Sequence, residues 1–186
     1  MVLYIVTKII AVVVLLICLG FIAYWLVARA QGDCHFTLLG KKKTPFQVER
    51  LGVSSAVLTC TVPIQNDGRQ NGTLMDVFCR TYLPREQYDG VSIHGTVCRS
   101  DAKRDDDYWE AYIVNKGDVV NLHVTLHVTS KSGNLLRDLE QFPGMAMDII
   151  YQVVGRSDWY YDKTRIYLTE EELRNALYRH TSEVKA

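Results

Sequence analysis

The chain has 186 residues, 48% of them hydrophobic, and its 21 Lys and Arg are balanced by 21 Asp and Glu. The only charged residues before position 30, Lys8 and Arg29, are basic, so the remainder carries a small acidic surplus. That excludes the basic footprint of a nucleic-acid binder.

After a short tail, residues 1–8, the run Ile9–Ala28 (IIAVVVLLICLGFIAYWLVA) contains no charge and is bounded by Lys8 and Arg29. At about 1.5 Å per residue a helix of this length matches the roughly 30 Å hydrocarbon core of a bilayer. Within lipid every backbone N–H and C=O must be paired internally, so the run is expected to be a transmembrane helix, with Tyr24 and Trp25 at the aromatic belt. A cleaved signal peptide would have a shorter apolar region and a small-x-small site, which Ala28-Arg29-Ala30 matches only loosely. A signal-anchored, single-pass membrane protein in contact with the lipid bilayer is therefore expected. Lys41, Lys42 and Lys43 beyond the helix would place the domain inside under the positive-inside rule. The short tail and the even set Cys34, Cys60, Cys79 and Cys98, possible disulfide cysteines, favour an extracytoplasmic domain.

Residues 29–45 carry no sustained period and are expected to form a membrane-proximal linker. From 46 to 186 the pattern is that of one domain: short runs separated by turn residues every ten residues or so, as in an all-β sandwich, Ig-like or related, of about 7–8 strands. The expected strands are Phe46–Arg50, Ala56–Gln65, Leu74–Tyr82, Val91–Arg99, Trp109–Val114, Val119–Thr129, Met147–Val154 and Tyr160–Leu168. Asn66-Asp67-Gly68, Asp89-Gly90, Asn115-Lys116-Gly117, Ser132-Gly133-Asn134 and Pro143-Gly144 supply the turns between them. In Asn121–Thr129 (NLHVTLHVT) apolar and polar residues alternate strictly. A short C-terminal helix is expected from about 170, opened by a capping box in which Thr169 is the N-cap and Glu172 the third helical residue, with Leu173, Ala176 and Leu177 as its apolar stripe.

Few residues suggest chemistry. His123 and His127 have the spacing of helical zinc ligands, but on a strand their rings stand roughly 13 Å apart, too far to share one ion. Arg104-Asp105-Asp106-Asp107 lacks the spacing of an EF-hand loop and is expected to be a solvated loop. No nucleophile elbow, phosphate loop or C-x-x-C pair is present. No catalytic residue, metal or cofactor is expected, and the chain is read as not an enzyme. Tyr108-Trp109 and Trp159-Tyr160-Tyr161 each join a turn to a strand, where aromatic rings anchor partners or plug the sandwich ends. These five residues, with Leu173 and Leu177, are the candidate partner contacts.

The stretch Val57–Arg80 (VLTCTVPIQNDGRQNGTLMDVFCR) resembles segments of single-pass anchored Ig-like or LEA14-type sandwiches. The resemblance implies a fold and carries over no functional residue. The expectation is a non-catalytic, membrane-anchored interaction module, an accessory or assembly subunit of a membrane or cell-envelope complex with a protein partner there. The alternative is an extracytoplasmic ligand- or ion-binding accessory domain.

Overall fold

A computed structural model describes residues 1–104, 106 and 108–184. Its first element is the helix α1 (Val2–Gln31), and Tyr4–Gln31 is long and apolar enough to cross a membrane. The strands are β1 (Phe36–Leu38), β2 (Gln47–Leu51), β3 (Ser55–Asn66), β4 (Gly72–Tyr82), β5 (Val91–Arg99), β6 (Tyr112–Val114), β7 (Val119–Ser130), β8 (Met145–Val154) and β9 (Tyr160–Leu168). Two further helices are α2 (Leu135–Leu139) and α3 (Glu170–Val184). All pairings are antiparallel. One sheet, A, runs β1-β3-β7-β5 with β2 also on β3; the other, B, runs β6-β4-β8-β9. The fold is the expected all-β sandwich with an N-terminal apolar helix and a short C-terminal helix.

The sandwich closes because alternate residues of both sheets point inward. On β7, Leu122, Val124, Leu126 and Val128 are buried; on β8, Met147, Ile149, Tyr151 and Val153 face them from the opposite sheet. Removing such a side chain from water is worth about 1.5–3 kcal/mol, so these eight positions together contribute about 12–24 kcal/mol of hydrophobic driving force.

The structure differs from the sequence expectation in the linker. Residues 29–45 contain β1 and a 3₁₀ turn at Gly40–Lys42, and Cys34, Phe36 and Leu38 belong to the core. The physical cause is pairing: Phe36–Leu38 lie against Ile64–Asn66 of β3, whose edge would otherwise be bare. Gly72 and Gly155 flank Cys34 so closely that a Cβ on either would stand 2.5 or 2.6 Å from its sulfur. The strand expected at Trp109–Val114 shortens to β6 because Trp109 turns into the core.

Thr169 caps α3 as expected, its hydroxyl accepting the Glu172 N–H at 3.1 Å. The other half of the capping box is replaced. Glu172 reaches across to the start of β2, accepting the Phe46 N–H at 2.8 Å and Lys43 Nζ at 2.5 Å. Leu173 and Ala176 are buried against the sandwich, so α3 docks on its own domain.

Candidate functional site

The outer face of sheet B departs most from an ordinary solvated strand surface. It is aimed by a bulge in β4 between Met75 and Phe78, where Asp76 takes a left-handed conformation at φ 47°. Asp tolerates that region better than bulkier residues. The extra residue resets the alternation, so that Val77 and Cys79 turn inward while Phe78, Arg80 and Tyr82 turn outward. β8 supplies Asp148 and Ile150 to the same face, in register with Arg80 and Phe78. β9 adds Tyr161, Lys163, Arg165 and Tyr167, with Arg165 opposite Asp148 and Lys163 opposite Ile150.

Asp148 is the focus of this face. Although it points outward it is only 1% exposed, because its neighbours close over it. Arg165 donates to both its oxygens, at 2.7 and 3.1 Å, and Lys163 Nζ lies 3.6 Å away. The hydrogen bonds from Arg165 hold the Asp148 carboxyl below the usual carboxylate range; burial opposes them, and the Tyr82 hydroxyl adds to the lowering. Arg165 in turn stacks 5.3 Å from the Tyr82 ring centre, and its guanidinium is pushed above its ordinary value by Asp148. Around this buried anion Phe78, Tyr82 and Tyr167 remain 40–56% exposed, and Tyr161, opposite Gln152 further along the same face, is 53% exposed. Exposed tyrosine, phenylalanine and arginine about a satisfied charge make up the usual composition of a protein-binding patch. Of this face the sequence singles out Tyr161 alone and misses the rest; the broken alternation in Leu74–Tyr82 and Met147–Val154 is the available signal.

The residues singled out from sequence separate into two groups. Trp109 is 7% exposed and its indole N–H donates to the Leu74 carbonyl at 3.2 Å, so it plugs the core and is corrected from contact to core. Leu173 is 3% exposed and is likewise corrected to core, while Leu177 is half-buried against that core. Tyr108, Trp159 and Tyr161 are exposed at 61, 61 and 53%, while Tyr160 stands at 37%. Trp159 and Tyr161 meet edge to face, with ring centres 5.8 Å apart.

The cysteines are free thiols. Cys34 and Cys60 are buried, and Cys79 also faces the interior, against Gly95. Burial pushes the Cys34 thiol up to about 11, and those of Cys60 and Cys79 to about 12. Cys98 lies on the outer face of sheet A, in register with His123. His123 and His127 occupy that face as expected of strand residues, and among the described residues no three metal-ligating side chains come together. Of the acidic run, Asp105 and Asp107 lie outside the described residues; Arg104 chelates Asp106 at 2.6 and 3.0 Å.

A second feature is a cleft of about 700 Å³ between the 3₁₀ turn and β9, floored by Leu38 and Ile166 and rimmed by Lys41, Lys42 and Arg165.

These features define an Ig-like β-sandwich module carried behind one apolar helix. The family described as F420-0:gamma-glutamyl ligase, N-terminal Ig-like domain, matches residues 42–169, and the chain belongs to that family. The match spans β2 to β9 and leaves α1 and β1 outside. No curated protein matches. Among solved structures, a FixG-related protein from Vibrio parahaemolyticus is similar at 12% identity, covering 72% of this chain and 94% of its own, with a TM-score of 0.35. The GAE domain of GGA2p from Saccharomyces cerevisiae gives 12%, 72%, 96% and 0.33 in the same order. The GAE domain of yeast GGA1 gives 10%, 66%, 87% and 0.34. At those TM-scores the three carry no functional argument.

Proposed function

We propose that this chain is a membrane-anchored, non-catalytic interaction module, an accessory or assembly subunit of a membrane or cell-envelope complex. Its domain would lie on the extracytoplasmic side, with the outer face of sheet B meeting a protein partner. The observation that carries the reading is the cluster of exposed Phe78, Tyr82 and Tyr167 around the buried, paired Asp148. Membership in a family defined by the Ig-like domain of a ligase supports a module and assigns no catalysis.

The test is quantitative capture from native membranes with wild-type protein, a Phe78→Ser/Tyr167→Ser variant and a His123→Thr/His127→Thr variant. A partner retained by the last and lost by the first supports the assignment. Equal capture by all three removes sheet B from the interface. Orientation is tested separately with a Ser132→Cys probe in the turn that follows β7, at the end of the sandwich opposite α1, and a membrane-impermeant thiol reagent. Labelling of intact cells is expected, and labelling only after lysis would reverse the topology.

The cleft beside β9 favours the ligand-binding alternative, since lysines over an apolar floor suit an anionic amphiphile. Saturable calorimetric binding of such a compound, lost in Lys41→Ala/Lys42→Ala, would establish it.

A further inference from the structure

The end of α1 is not a free tether. Two turns of the sandwich close around it, and the first is the β3–β4 turn. Arg69 Nη1 donates to the Ala30 carbonyl at 3.2 Å and Gln70 Nε2 to the Gln31 carbonyl at 3.3 Å. From the β8–β9 turn, Arg156 Nη1 donates to the Ala28 carbonyl at 3.3 Å and also to the Gln31 side-chain oxygen. Helix-terminal carbonyls that would otherwise need water are thus satisfied by the domain.

Asp33 fastens the same junction. Its carboxylate accepts the N–H groups of Cys34, Arg156 and Ser157 at 2.7, 2.9 and 2.8 Å, and the Ser157 hydroxyl as well. Burial alone would raise this carboxyl, but the hydrogen bonds from Ser157, Arg156 and Cys34 hold it well below the usual carboxylate range.

This junction sets a height. The apolar run ends at Ala28, and three more helical residues add about 5 Å, a distance inside the headgroup layer that flanks the hydrocarbon core. Trp159 follows Ser157 by two residues, so its Cα lies within about 7 Å of the junction. There Trp159 and Tyr161 stand 61 and 53% exposed, edge to face, at the start of the strand that follows Arg156. An indole and a phenol each join an apolar body to a polar tip, the composition that concentrates at membrane interfaces. Arginine at that depth can reach lipid phosphate while its stem stays among apolar groups.

We infer that Trp159 and Tyr161 insert into the headgroup layer, with Arg156 and Arg69 facing lipid phosphates, so that the sandwich is seated on the bilayer at a fixed height and tilt. The inference rests on the proposed reading that α1 spans a membrane. Tyr161 also forms the lower end of the sheet B face, so seating would hold that face upright beside the membrane, where it meets a partner itself bound to the same membrane.

The experiment is tryptophan quenching of the full-length protein in phosphatidylcholine vesicles whose acyl chains carry bromine at carbons 6 and 7, with iodide as the aqueous quencher. Wild type, Trp25→Phe, Trp159→Phe and the double variant separate the contributions. The expected result is that bromolipid quenching falls in two steps, one on removal of Trp25 and one on removal of Trp159, and that the Trp159 emission is shielded from iodide. If Trp25 is quenched while Trp159 is open to iodide and untouched by bromolipid, the anchor stands and the seating is wrong. If neither contributes to bromolipid quenching, the spanning reading fails and the seating falls with it.

Discussion

The two sheets share one core, yet their outer faces differ in composition. Sheet A presents Thr125, His127, Thr96 and other small polar or imidazole groups, the ordinary solution for a strand surface in water. Sheet B presents aromatic rings and long cations around an aspartate that its neighbours exclude from solvent. The same difference is written into the chain. The β7 segment alternates strictly, whereas the β4 and β8 segments place large apolar residues on both faces. Where a half-exposed sheet loses its alternation without becoming fully buried, large apolar groups are left facing water on its second face, as at the contiguous apolar patches that mark interaction sites.

That comparison assumes faces that can be altered without disturbing the scaffold, so the scaffold provides the reference. Leu173→Ala should destabilise the domain by about 2–5 kcal/mol in a denaturant titration, as for any buried leucine. A smaller change would mean that α3 contributes little to closing the sandwich.

Asp148→Asn should cost less, about 1–3 kcal/mol, because the half-exposed Arg165 and the more exposed Lys163 can recover water when they lose the charge. The pH dependence has a defined sign. The folded carboxyl is held below its ordinary value of about 3.9, so its contribution is complete above that pH and is lost as pH falls through the lowered folded value. Denaturation curves of wild type and variant should therefore converge in acid. Parallel curves would show that Asp148 acts through packing alone.

Phe78→Ser/Tyr167→Ser should change stability by about 0.5 kcal/mol per site or less, since both rings are about half exposed. Its effect should appear in partner capture. A large loss of stability would instead make these rings part of the scaffold and dissolve the distinction between the two faces.

Much of this architecture was legible in the sequence. Val91–Arg99 and Tyr160–Leu168 coincide with β5 and β9 to the residue, the first opened by the Asp89-Gly90 turn and the second closed by the Thr169 helix cap. The Thr169 cap was equally plain, because it depends on residues only three apart. What was hidden is non-local. β1 is three residues long, too short for a period, and exists because the edge of β3 receives it. α2 has five residues and is fixed by Leu135 and Leu139 entering the core, with Asn134 accepting the Arg137 N–H at its start. Glu172 has a local partner on paper and a better one at Phe46, 126 residues away in the chain. The sheet B face was concealed by the bulge at Asp76, which shifts the phase of β4 and makes Phe78, Arg80 and Tyr82 read as an irregular run.

The smallest expected effect lies on the other face and tests the comparison from its quiet side. His123 and His127 sit in register with Cys98 and His94 of β5, on a surface that also holds Glu49 and Lys103. Burial, with Lys103 nearby, pushes the His123 imidazole below its ordinary value. Its neutral form is therefore the one the fold prefers. Near pH 8 both folded and unfolded chains are neutral there, and His123→Thr/His127→Thr should change stability by no more than about 0.5 kcal/mol, threonine being well suited to a half-exposed strand. Below the unfolded value of about 6.5 the unfolded chain binds the proton more readily at His123, so wild type should weaken slightly relative to the variant as pH falls. Thermal unfolding of both proteins from pH 8 to pH 5 measures this. A variant much less stable at pH 8, or one that loses a stoichiometric metal, would show that sheet A carries a site of its own and that the division of labour between the faces is wrong.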